Sequence, residues 1–183
     1  MHEVGGDDLL GRPIVLVVAL ALVSLLPFVF MSVTAFVKIS TVLQIVRSAI
    51  GAQSVPSNTV IMALAAALTL LAMQPVGEKL WTKAEPLFTS TKALDTGTLI
   101  KGGIDAVKDP MHDFLKANSD RRERERFVSV ARESRPPEAR AKVSDDDFTV
   151  LVPAFVVTEL GEAFAIGFLL YLPFLVIDMV VAN

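Results

Sequence analysis

The chain has 183 residues, no cysteine, 17 basic and 20 acidic side chains, and 52% hydrophobic residues. Its mean hydropathy is +0.55. Apolar content this high excludes a largely disordered chain, absent cysteine excludes disulfide scaffolds and thiolate chemistry, and a net charge of −3 argues against a dedicated nucleic-acid binder. A membrane or membrane-associated protein is the class that remains.

Of the charged residues, 28 lie between Glu78 and Asp147, fourteen of each sign, and only nine lie elsewhere. The pattern divides the chain into a hydrophobic hairpin region (1–77), a hydrophilic helical insert (78–147) and a second hydrophobic helical region (148–183). The start MHEVGGDD has no basic n-region, so the first apolar tract reads as a retained segment and not a cleaved signal. Residues 14–33 hold fourteen Leu, Ile, Val or Phe and no charge. That makes insertion favourable by roughly −6 kcal/mol. The first helix is expected from about Pro13, with Pro27 interrupting it.

Residues 34–50 behave differently. On a helical wheel Phe36, Ile39, Val42, Leu43, Val46 and Ala49 share one half with their neighbours. Lys38, Ser40, Thr41, Gln44, Arg47 and Ser48 fill the other. This is an amphipathic helix, either at an interface or packed in an assembly with its polar half toward a lumen. Gly51 is its natural stop. Ser54 to Asn58 form a turn that caps the next helix, about 58–74, for which the insertion estimate is weaker, about −3 kcal/mol. In that helix Ala63 and Ala67 are four apart, a spacing that lets another backbone approach.

The insert reads as short helices and loops, with Gly102-Gly103 in a turn-like setting. Asp120 with Glu123 forms a capping-box signal for a helix reaching about 133, and Pro136-Pro137 ends it. RRERERF (121–127) is mixed in sign, which fits a solvated helix face. Ser144 with Asp147 marks the start of the last apolar block. There Ala154, Thr158, Gly161 and Ala165 form a narrow stripe of small residues, where a second helix is expected to pack and Gly161→Leu to overpack. Pro173 signals a kink or a helix end. Glu159 and Glu162 share a face, and Asp178 is a third acid in apolar sequence. Acids in such a tract are functional candidates by default, and in a dry assembly they need partners. Lys38 or Arg47 with Glu159 is the first pairing expected. Basic residues in 38–57 place that segment toward the cytoplasm, with the N-terminus and the insert outside.

TAFVKISTVLQIVRSAIGAQSVPSN (34–58), a helix ending in AMQPV (72–76), and LVPAFVVTELGEAFAIGFLLYLPFLVIDMVVAN (151–183) together resemble the FliP/YscR/HrcR family. These are inner-membrane export-apparatus subunits of type III secretion. The residues matching the family pattern are Lys38, Arg47, Gly51, Pro56, Asn58, Pro75, Pro153, Glu159, Phe164, Gly167, Phe168 and Asp178. The resemblance implies an all-α fold of membrane-associated hairpins within an oligomeric helical export gate. It implies a homopentamer joined by other small apparatus subunits, with unfolded protein substrates passing through the centre. It also implies that the hairpins are largely buried in the assembly. The closing motif looks nearer to injectisome than to flagellar members. Family chains continue past VVAN with a Met-rich loop and a further hairpin, so gating methionines have no counterpart in these residues.

No enzyme signature is present. His2 and His112 are isolated and no phosphate loop occurs, so no cofactor, no metal and no catalytic residue are expected. Two rival readings are a proton-coupled transporter using Glu159, Glu162 and Asp178, and a membrane sensor with 78–147 as its ligand domain.

Overall fold

The computed structural model describes residues 13–51, 55–89 and 96–182. Ser54, Ser90 and the acidic N-terminal tail lie outside the described residues. Every regular element among those described is helical: α1 (Pro13–Val33), α2 (Phe36–Ala49), α3 (Asn58–Ala72), α4 (Gln74–Thr89), α5 (Thr96–Ala117), α6 (Arg121–Glu133), α7 (Pro137–Arg140) and α8 (Phe148–Val181). The all-α expectation holds.

Proline proves a weak breaker here. α1 runs through Pro27, and α8 runs unbroken for 34 residues through both Pro153 and Pro173. Each proline forfeits one backbone bond of a long apolar helix. Where no water competes for the neighbouring groups, the remaining ladder carries the helix past it. The expected interruption at Pro27 is therefore corrected, and of the two alternatives at Pro173 the helix end is excluded. Gly102-Gly103 also lies within a helix, α5, and not in a turn. Gly102 is where α5 approaches α4: a methyl group there would come within 2.5 Å of Leu87 Cδ2.

The insert is built of longer helices than its punctuation suggested, with α5 at 22 residues. α4 follows α3 after a bend of 58° at Met73, so residue 78 falls inside a helix and not at its edge. Lys83 Nζ bonds Asp109 Oδ2 at 2.6 Å and ties α4 to α5. That contact holds the Asp109 carboxyl below the ordinary carboxylate range.

Between α1 and α2 the chain reverses at Thr34. Its hydroxyl donates to the Phe30 carbonyl at 2.8 Å and accepts from the Phe36 amide at 3.4 Å, stitching the two helix ends together. α2 ends at Gly51, which has φ +69°, a left-handed conformation that favours glycine. Ser57 starts α3 through its carbonyl, which accepts from Val60 and Ile61, and its side chain caps nothing.

The core forms where the insert meets the membrane helices. Leu115, Leu151 and Phe155 are fully buried, with Val33, Phe114 and Val152 packed around them. Phe114 and Phe155 rings lie 5.5 Å apart in a tilted pair. Here α1 contributes its last turn. If α1 crosses a membrane, its first turn lies on the side opposite the insert. That arrangement would differ from the expected one, in which the N-terminus and the insert share a side.

Candidate functional site

α2 runs parallel to α8, and the site lies along their contact. Lys38, near the start of α2, reaches two carboxylates of α8. Its Nζ lies 2.8 Å from Glu159 Oε1 and 2.7 Å from Glu162 Oε2. The three-residue spacing of the glutamates puts both on the face that α2 covers. Glu159 is buried, its side chain 4% exposed, whereas that of Glu162 is 57% exposed. A buried carboxylate without a cation would be costly, so Lys38 is the condition for Glu159 lying there. One cation against two acids leaves the cluster with a formal charge of −1.

The polar half of α2 is thus not simply lumen-facing. Ser40 is buried, on the side of α2 away from Lys38, its hydroxyl satisfied by the Val37 carbonyl at 3.2 Å. Further along, Thr41, Gln44 and Ser48 border a groove of about 510 Å³ shared with Phe164 and Tyr171 of α8. On the other side α2 meets α3 through Ile61, Ala65 and Thr69, a buried row at i, i+4, i+8. Arg47 is half-buried in the last turn of α2. Asp178 is exposed near the end of α8, remote from the Lys38 cluster.

Within this chain the small-residue motifs are only partly covered. Ala63 and Ala67 are exposed, and the packing face of α3 is displaced from them. Of the α8 stripe, Ala154 is fully buried and Thr158 accepts a hydrogen bond from the Asp120 amide at 2.9 Å. Gly161 and Ala165 are exposed, and nothing lies within 4 Å of a methyl group placed on Gly161. The close approach is at Gly167, where a methyl group would collide with Ile45 Cδ1 and lie 2.9 Å from its Cγ2. Phe155, Glu159, Ala163 and Gly167, four apart, are the buried row. Spacing alone allowed either stripe; Gly167 stood out only through the family pattern.

Around the insert end of α8, Asp120 accepts from the Arg122 amide at 2.7 Å and so caps α6. Glu123 does not close the expected box, since its carboxylate pairs with Arg126 at 3.1 Å. Arg124 donates to the Lys116 and Ser119 carbonyls, closing the end of α5. Lys116 Nζ bonds Asp146 Oδ1 at 2.6 Å. That pairing raises the lysine above its ordinary value and depresses the aspartate below its own. His112 Nε2 lies 3.0 Å from the Asp146 carbonyl oxygen. No group of three acidic or histidine side chains that could hold a metal occurs among the described residues.

Two helices among the described residues are long and apolar enough to cross a membrane, α1 over Leu16–Val33 and α8. The bent α3–α4 pair is a third if counted as one span. Their surfaces are largely uncovered within the chain: Leu20 is 71% exposed, Phe28 69% and Leu169 68%. Apolar area on this scale needs lipid or other subunits against it.

The profile of the FliP family matches residues 19–183. The chain is similar to the hypersensitivity response secretion protein HrcR of Ralstonia nicotianae, at 40% identity over 92% of this chain and 77% of that protein. It is 35% identical to the Yop proteins translocation protein R of Yersinia pestis, over 92% of this chain and 76% of that protein. It is also 36% identical to the flagellar biosynthetic protein FliP of Caulobacter vibrioides, over 97% of this chain and 64% of that protein.

Proposed function

This chain belongs to the FliP family, and from that membership we propose that it lines the entrance channel of a type III secretion export gate. It is a membrane subunit of that apparatus and works with other subunits of it. The injectisome kind is favoured by relatives named for the hypersensitivity response and for Yop translocation. The finer picture is a homopentamer, joined by the small apparatus subunits, through which unfolded protein leaves the cytoplasm. The insert 78–147 would stand on the periplasmic side, and the turn after α2 would point to the cytoplasm.

The observation that supports this reading is the uncovered apolar surface of α1 and α8 combined with a satisfied ionic cluster inside. A carrier that moves protons needs an acid free to change charge. Here Glu159 and Glu162 are both held by Lys38, and Asp178, the third acid of the transporter reading, is exposed on α8 away from them. A subunit of an assembly needs faces without partners in its own chain, and the two longest apolar helices supply them.

Co-expression with the neighbouring apparatus genes, followed by native mass measurement, tests the proposal. A five-copy complex is expected, and deletion of the gene should stop export of a reporter substrate. A monomer or dimer with proton-coupled uptake would favour the transporter reading instead. Topology is tested by Ser134→Cys and Ser57→Cys, both exposed positions. An impermeant reagent applied from outside should label the first and not the second; the reverse pattern would overturn the placement.

A further inference from the structure

α5 carries a stripe of apolar residues that the chain leaves half uncovered. Ile100 is 59% exposed, Ile104 61% and Val107 50%. Opposite them stand Val29 and Val33 from the end of α1, and the start of α8 closes one end. The result is an open groove of about 700 Å³ with almost wholly apolar walls. Its size is within the roughly 300–1,000 Å³ of small-molecule sites. Gly103 is one of the lining residues, and nothing lies within 4 Å of a methyl group placed on it.

Two features identify the occupant. One wall is the last part of α1, whose outer face is exposed apolar surface along the whole span. The groove is therefore a side pocket of that face, at the level where the span ends and the insert begins. The second feature is charge. With about 100° per residue, Lys108 and Lys101 are seven apart and border the apolar stripe on the same edge, with Asp105 further round. Lysines there can lay their stems along apolar surface and hold their ammonium groups at headgroup level.

We propose that this groove holds an acyl chain of an anionic phospholipid, with Lys101 and Lys108 meeting its phosphate. The lipid fills the space between α1 and α5 and so fixes the insert against the membrane helices. The proposal rests on the membrane placement given above.

The full chain is reconstituted in phosphatidylcholine nanodiscs containing a phosphatidylglycerol with a diazirine near the end of its acyl chain. A second set contains the same diazirine chain on phosphatidylcholine. Labelled peptides are then mapped. Labelling of α1 with either probe reports the membrane placement by itself. Labelling of residues 99–107 several-fold stronger with the phosphatidylglycerol probe is the expected result. Gly103→Trp, whose side chain has room to occupy the groove, should abolish the α5 labelling and leave that of α1. Lys101→Gln with Lys108→Gln leaves the groove intact and should remove the headgroup preference. α1 labelled with α5 unlabelled, or α5 labelled regardless of Gly103→Trp, would overturn the proposal. Cross-linking of α5 to a second copy in place of lipid would do the same. If neither helix is labelled, the membrane placement falls and the lipid site with it.

Discussion

Replacing Gly167 with alanine adds one methyl group where α8 lies against α2. The added carbon meets Ile45 at Cδ1, Cγ2 and Cβ together, the last at 3.1 Å. Three atoms of a β-branched side chain cannot swing aside as one flexible tip can, so the helices must separate or Ile45 must leave its rotamer. Overpacking of this kind costs about 1–3 kcal/mol. Against it stands the gain of about 1 kcal/mol from replacing a helical glycine by alanine. Gly161→Ala brings the same propensity gain on the same helix with no contact to offset it. The difference between the two variants therefore isolates the packing cost, about 1–3 kcal/mol. At about 2–4 °C per kcal/mol for a chain of this size, Gly167→Ala should melt several degrees below Gly161→Ala in detergent. Ile45→Ala removes both colliding branches, leaves only Cβ at 3.1 Å, and should take away most of the cost of Gly167→Ala on its own background. The measurement is thermal unfolding of the purified chain followed by size-exclusion chromatography. Equal melting of the two glycine variants, or no suppression by Ile45→Ala, would refute the assignment of Gly167 as the contact.

Lys38→Gln strands a buried Glu159 and should cost toward the low end of about 3–5 kcal/mol, because the lysine side chain is itself 27% exposed. Glu162→Gln, at a mostly exposed carboxylate, should cost under about 1 kcal/mol; complex assembly and secretion for both, with Lys38→Gln/Glu159→Gln less harmful than the sum of its singles, check the account. Thr158→Val removes the acceptor of the Asp120 amide and should cost about 0.5–1.5 kcal/mol, read as faster hydrogen exchange at the start of α6 with α3 unchanged. The Lys116–Asp146 contact should be insensitive to pH across the neutral range. The depressed aspartate keeps its contribution until pH falls through its folded value, below about 4, and the raised lysine loses its own only as pH rises through a value above about 10.4. Exchange protection at the start of α8 should follow that plateau, and Asp146→Asn should erase the acidic limb; a loss already at pH 6 would contradict it.

Much of this architecture could be read from composition. The apolar tract after Pro13, the two-faced pattern of residues 34–50 and the Asp120 cap each depend on neighbours within one helix, and each reappears as α1, α2 and α6. The misses share another cause. Pro27, Pro173 and Gly102 punctuate sequences in water, but in long apolar or closely packed helices their local cost is offset by the rest of the helix. Which row of small residues packs inside the chain was hidden for a geometric reason. A helix with small residues on two faces can bury either, and only the partner decides; Ile45 on α2 selects Gly167 over Gly161. The ionic cluster was half legible: the i, i+3 glutamates announce a shared face, but the register of α2 along α8 determines that Lys38 is the cation between them.

The length of α8 has a consequence of its own. At 1.5 Å per residue, 34 residues make a rod of about 50 Å, against a hydrocarbon layer of about 30 Å. The rod outreaches a bilayer by several turns, so it must lean steeply or stand proud of the surface. Its first two turns are already committed, because Leu151 and Phe155 are locked into the core shared with α5. Glu159 follows one turn later and Gly167 two turns after that. Any tilt imposed at the insert is therefore carried along one helix to the Lys38 cluster, as a crank handle turns its shaft. No glycine lies between Phe155 and Glu159 to absorb the motion.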